Sequence, residues 1–191
     1  NLAQTNPFLK EINNNSLAHP KVKMVSEDAF TFLKKNISQF DFIISDLPDP
    51  VNESIARLYS DLFYKLCYRN LSPTGSLVTQ ATSPFYTPRS FWCISETIQS
   101  IGFQKVSPYH ALVPSFGDWG FVLAEKSPSN TQSFTFPTEL KFIDSKTVES
   151  LFYFPKDQKP KKLKINTLDN PILFQYHHQD WSEWNYSENT L

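Results

Sequence analysis

The feature that most constrains the fold is a short, mostly apolar run that stops against two prolines. Phe40-Asp41-Phe42-Ile43-Ile44 leads directly into Asp46-Leu47-Pro48-Asp49-Pro50. Such a run suits a strand buried on both faces. Proline offers no N–H to a ladder, so the chain must leave the sheet there. Comparable signals flank it. Residues 2–14 read as a helix remnant, and Lys21-Val22-Lys23-Met24-Val25 alternates like a strand. Asp28 stands at a helix N-cap ahead of Ala29-Phe30-Thr31-Phe32-Leu33. Leu58, Leu62, Phe63 and Leu66 give residues 55–70 the stripe of a helix. Ser72-Pro73-Thr74-Gly75 is a turn signal, and residues 76–81 are a second buried strand. A helix is expected from Arg89 to Ile101, closed by Gly102. Residues 103–113 and 119–124 then read as a hairpin.

Alternating helices and strands argue for an α/β fold with a mostly parallel sheet, ending in an antiparallel hairpin. Residues 1–126 form this unit. From Ser127 the composition shifts: Pro, Ser, Asn and Thr dominate to Thr138, and residues 159–164 are basic. Residues 127–191 are expected to pack on the first unit as an extension.

Composition narrows the partners. The formal net charge is −1, which leaves no basic footprint for nucleic acid and no polybasic membrane patch. Aromatic residues make up 15% of the chain, enough to furnish a core. Cys67 and Cys93 have no metal or disulfide spacing. No stretch approaches the ~20 apolar residues of a membrane span, and no leader pattern is visible. The first residue is Asn, which suggests a trimmed or processed chain. Only four glycines occur, at 75, 102, 117 and 120, and none makes a G-x-G-x-x-G loop.

In an open parallel sheet, ligands sit beyond the carboxyl ends of the strands. The polar residues there are Asp28, Asp46, Asp49 and Gln80. Two carboxylates on a proline-stiffened turn suit an ammonium group, which they can hold and deprotonate. Asp-Pro pairs also simply make good turns. Asp28 is equally suited to capping its helix, and Gln80 to ending a strand. Phe85, Phe91, Trp92, Phe116 and Trp119 read as core before cage. His177 and His178 read as surface residues, without metal spacing.

Taken together, Val25-Ser26-Glu27-Asp28-Ala29-Phe30, the run through Asp46-Leu47-Pro48-Asp49-Pro50, Leu58-Tyr59-Ser60-Asp61-Leu62-Phe63-Tyr64, the strand ending at Gln80 and Val113-Pro114-Ser115-Phe116-Gly117-Asp118-Trp119-Gly120-Phe121 resemble the spermidine synthase family. The match runs in order to about Lys126. Ser83-Pro84-Phe85-Tyr86 and the Trp-bearing hairpin resemble a bacterial branch whose catalytic domain often follows an amino-terminal membrane domain. The resemblance implies a partial Rossmann-like, class I methyltransferase-type domain whose first strands lie outside this chain. It implies aminopropyl transfer from decarboxylated S-adenosylmethionine, a co-substrate, to a diamine such as putrescine, with no prosthetic group. It places Asp28 and Ala29 at the adenine, Asp46 as general base, Asp49 on the diamine and Gln80 in the substrate pocket. It implies a cytoplasmic domain, with a homodimer left open. The family tyrosine before the hairpin turn is replaced by Pro114, with Tyr86 or Tyr109 as substitutes. The rival expectations are an S-adenosylmethionine-dependent methyltransferase and a non-catalytic interaction domain.

Overall fold

The computed structural model describes residues 2–128, 136–158 and 162–188, with side chains to residue 184. Residues 129–135 and 159–161, parts of the polar and basic stretches noted above, lie outside the described residues.

Two short helices, α1 (Leu2–Thr5) and α2 (Pro7–Ile12), precede α3 (Ala29–Lys35). Asp28 caps α3 by accepting the Thr31 N–H at 2.9 Å. The first strand is β1 (Phe40–Ser45), and α4 (Glu53–Ala56) follows the double-proline segment. The helix expected over residues 55–70 is broken. A 3-10 turn spans Arg57–Tyr59, and α5 (Asp61–Asn70) starts afresh. Ser60 causes the break: its backbone is extended, and its Oγ accepts the Phe63 N–H at 3.3 Å.

Strand β2 (Leu71–Gln80) takes in the expected turn. Phe40 pairs with Leu71 and Phe42 with Ser76, so residues 72–75 bulge out of the ladder. Helix α6 (Pro88–Gln99) leads to β3 (Lys105–Val113) and β4 (Gly117–Glu125), the expected hairpin. Helices α7 (Ser145–Leu151) and α8 (Ile172–Glu188) complete the fold.

The sheet order is β1-β2-β4-β3, with β1 and β2 parallel and both β4 pairings antiparallel. The alternating run Lys21–Val25 forms no strand; a strand needs a ladder partner, and none lies beside it among the described residues. One expected parallel pairing is therefore lost, and the described sheet is mixed. Leu71, Leu77, Phe91, Ile94, Ile98 and Val122 are fully buried between the sheet and its helices. Leu173 of α8 is fully buried as well, where α8 packs along α6. Burial pushes the Cys67 and Cys93 thiols up to about 12, so both remain protonated core groups. Gly120 must be glycine: a Cβ there would lie 2.4 Å from the Phe91 ring and 2.8 Å from the Thr82 carbonyl oxygen. That close crossing seats β4 on the carboxyl end of β2. No described helix is long and apolar enough to cross a membrane.

Candidate active site

The double-proline segment leaves β1 beside the end of β2, and Gln80 ties the two together. Its amide nitrogen donates to the Leu47 carbonyl at 2.6 Å and to the Tyr59 hydroxyl. Its amide oxygen accepts the Thr82 N–H at 2.8 Å. Tyr59, fully buried, shares its hydroxyl proton between the Pro48 and Leu47 carbonyls at 3.0 and 3.2 Å. Burial, then the charge of Asp49, holds the Tyr59 phenol far above its ordinary range, so it stays a neutral donor. Thr82 takes a positive φ of 64°, uncommon for a β-branched residue. The Thr87 hydroxyl donates to its Oγ1 at 2.9 Å, and the Gly120 N–H to its carbonyl at 2.6 Å. The base of the site is thus fixed by buried bonds.

Asp46 is exposed and Asp49 half-buried. Among the described residues, no side-chain hydrogen bond or ion pair engages Asp46. The Asp49 carboxylate, among the described residues, meets the Gln80 amide at 3.5 Å and His177 Nε2 at 3.9 Å. Two carboxylates therefore face a cavity of about 550 Å³ without a strong cationic partner. Its other walls include Tyr86, Phe116, Trp119 and Trp181. Asp46 also borders an apolar cleft of about 370 Å³ that contains Ala29 and Phe63. A third hollow, on the sheet face, joins Asp46 and Gln80 to Tyr109, Val113 and Phe121.

Asp46, Asp49 and Gln80 thus come together, and Ala29 lies across Asp46 in the neighbouring cleft. Asp28 is turned to the Thr31 amide and to Arg57, 2.8 Å away. The Thr31 amide and hydroxyl, with Arg57 beside them, hold its carboxyl below the usual range. Of the two tyrosines offered in place of the family residue, Tyr86 lines the cavity of the carboxylates and Tyr109 the hollow on the sheet.

Sequence reasoning missed α8. His178 is exposed as expected, but His177 is not a surface residue: it is 5% exposed, its ring turned toward Asp49. Trp181, one turn on, donates its indole N–H to His177 Nε2 at 3.1 Å. Leu173, His177, Asp180 and Trp184 recur at helical spacing, which was the available signal. The expected core aromatics divide: Phe91 and Trp92 are buried, while Phe85 and Phe116 are exposed.

An open α/β sheet with its polar cluster beyond the carboxyl ends of parallel strands defines a protein of the Rossmann-like, methyltransferase-type class. Residues 4–135 match the spermine/spermidine synthase domain, and the chain belongs to that family. It is 40% identical over 182 residues to the polyamine aminopropyltransferase of Leptospira interrogans serogroup Icterohaemorrhagiae serovar copenhageni, an overlap of 95% of this chain and 36% of that protein. Among solved structures, spermidine synthase from Thermotoga maritima superposes with a TM-score of 0.62 at 21% identity, over 78% of this chain and 51% of that one. A spermidine synthase in complex with the transition state analogue AdoDATO superposes with a TM-score of 0.54 at 18% identity, over 92% of this chain and 54% of that one. The chain spans about a third of the length of the curated relatives it matches.

Proposed function

We propose that this chain supplies the acceptor-amine half of an aminopropyltransferase active site, moving the aminopropyl group of decarboxylated S-adenosylmethionine to a diamine such as putrescine. The observation that carries this reading is the position of Asp46, a residue that borders both the aromatic cavity and the cleft at Ala29. A group in that place can serve an amine on one side and a nucleoside on the other.

In the proposed reaction the amine nitrogen attacks the carbon next to the sulfonium. A C–N bond forms, the S–C bond breaks, and its electron pair stays on sulfur, releasing methylthioadenosine. An alkylammonium has a pKa near the ~10.4 of lysine and must lose a proton first. Asp46 takes that proton. An ordinary carboxylate is a weak base for this task, so removal from water and fixed orientation supply the rest. Asp49 holds the diamine by its charge, and the aromatic walls shield its methylenes and favour its cationic end. Ala29, with Asp28 at the head of α3, contacts the adenine in this reading. Methyl transfer gives no role to two carboxylates beside an aromatic-walled cavity. The domain is read as cytoplasmic.

The test is an assay of a polypeptide of the relatives' full length that contains this chain. With decarboxylated S-adenosylmethionine and putrescine it should release methylthioadenosine and form spermidine in equal amounts. No methylthioadenosine release above the amine-free rate overturns the reading.

A further inference from the structure

Helix α8 brings Trp181 to the wall of the amine cavity and His177 to the side of Asp49, neither of which a strand-end motif supplies. Trp181 is held at three points. Its indole N–H is bonded to His177, and its ring stacks on Tyr86 with centroids 6.0 Å apart and planes 9° apart. Its backbone neighbour Asp180 is fully buried and clasps the start of α6, accepting from the Ser90 N–H and hydroxyl at 3.1 Å and from Arg89 at 2.9 Å. Tyr86 is fixed in turn, with its carbonyl accepting the Trp184 indole N–H at 2.9 Å. Trp181 is thus a wall placed by contacts from α6, α8 and the segment before α6.

His177 supports the same wall. Because Nε2 accepts the Trp181 proton, the ring presented to Asp49 at 3.9 Å carries no proton on that nitrogen. The carboxylate of Asp49 is left for a cationic ligand. Asp46 lies at the boundary with the Ala29 cleft, so a diamine with one nitrogen at Asp46 extends toward Asp49 and α8. Trp181 lines the same cavity.

We propose that Trp181, oriented by His177 and stacked on Tyr86, is the end-wall that sets which acceptor lengths the Asp46/Asp49 cavity takes. The proposal rests on the aminopropyl-transfer reading and extends it to a helix outside the matched family domain, which ends at residue 135. Trp181 is a specificity residue and His177 a positioning residue.

The experiment compares diamines of three, four and five methylenes in the full-length protein. One methylene fitted or refused by an apolar pocket is worth about 10- to 200-fold in kcat/KM. Trp181→Ala should raise the five- to four-methylene ratio of kcat/KM at least ~10-fold, with the KM for decarboxylated S-adenosylmethionine unchanged. His177→Gln, which keeps the wall but loosens its orientation, should shift that ratio in the same direction by less. Trp181→Phe keeps the stack and serves if the alanine variant does not fold; its ratio should lie between the other two. An unchanged ratio in a folded Trp181 variant, with native turnover of putrescine, overturns the role of α8 and leaves aminopropyl transfer standing. A native protein that turns over none of the three diamines overturns both.

Discussion

At the scale of single residues, Asp46 and Gln80 do different work although they lie in one cavity. Among the described residues no hydrogen bond or ion pair engages the Asp46 side chain, which leaves it open to a ligand. Gln80 is spent on protein partners: Leu47 and Tyr59 take its amide N–H groups, and its oxygen takes the Thr82 N–H. We assign Asp46 the general-base role and Gln80 the placing of the double-proline segment. Asp46→Asn in the full-length protein should retain co-substrate binding and lower kcat about 10²–10⁴-fold, because an amide cannot take the proton. Near-native turnover would remove that assignment. Gln80→Met leaves the buried Thr82 N–H without its acceptor and the buried Tyr59 oxygen without its donor. Each buried polar group so orphaned costs about 1–3 kcal/mol. Urea unfolding should show a loss of this size, and the KM for the amine should rise as the segment loosens. A variant as stable as the native chain would show that these bonds are not what fixes the segment.

At the scale of elements, two contacts decide where helices begin and rest. Ser60 restarts the helix after the Tyr59 turn, which frees Tyr59 to reach under the double-proline segment. Ser60→Ala should cost about 1 kcal/mol of stability, the usual worth of such a cap, read from the midpoint of denaturant unfolding. Asp180 joins α8 to the head of α6. Burial raises its carboxyl above the ordinary 3.8, outweighing the Ser90 and Arg89 bonds that lower it. The folded chain therefore binds this proton more tightly than the unfolded chain. Its contribution is fully present below the ordinary carboxylate value and is lost as pH rises through the raised one. The stability of the native chain relative to Asp180→Asn should accordingly be greatest in acid and shrink as pH climbs above 3.8. Denaturant midpoints of the two proteins across the acid range provide the measurement. A difference that grows with pH would mean that the Arg89 pair outweighs burial.

At the scale of the whole molecule, β1 is the informative edge. It pairs with β2 on one side, and no described strand covers the other. Phe42 and Ile44 on this strand are 63% and 76% exposed. Unpaired backbone groups beside exposed apolar side chains make a surface ready to take another strand. This 191-residue chain by itself should therefore associate with rising concentration, seen as a growing weight-average mass in sedimentation. A strictly monomeric chain at high concentration would show that the edge is protected in another way. Its four glycines also supply no loop for the nucleoside of the co-substrate. Turnover by the isolated chain should be negligible beside that of a polypeptide of the relatives' length.

The α/β class, the parallel pairing of β1 with β2, the terminal hairpin and the shared cavity of Asp46, Asp49 and Gln80 were legible in the sequence, whereas Asp28, expected in the same crevice, is turned to Thr31 and Arg57 instead. Each follows from a local signal: an apolar run, a proline stop, or a strand end whose place in an open sheet is set by topology. The family resemblance ordered those signals and was confirmed by the domain match. Other outcomes were decided in three dimensions. The run Lys21–Val25 alternates like a strand, yet alternation specifies a face and not a partner, and the described fold provides none. Ser60 breaks a continuous apolar stripe because its own hydroxyl competes for the helix amides. His177 and Trp181 lie more than 120 positions after Asp49 in the chain, and no local pattern links them. Trp181 reaches the cavity, and His177 the side of Asp49, because Asp180 and Leu173 seat α8 along α6, a contact set by burial and by one buried carboxylate.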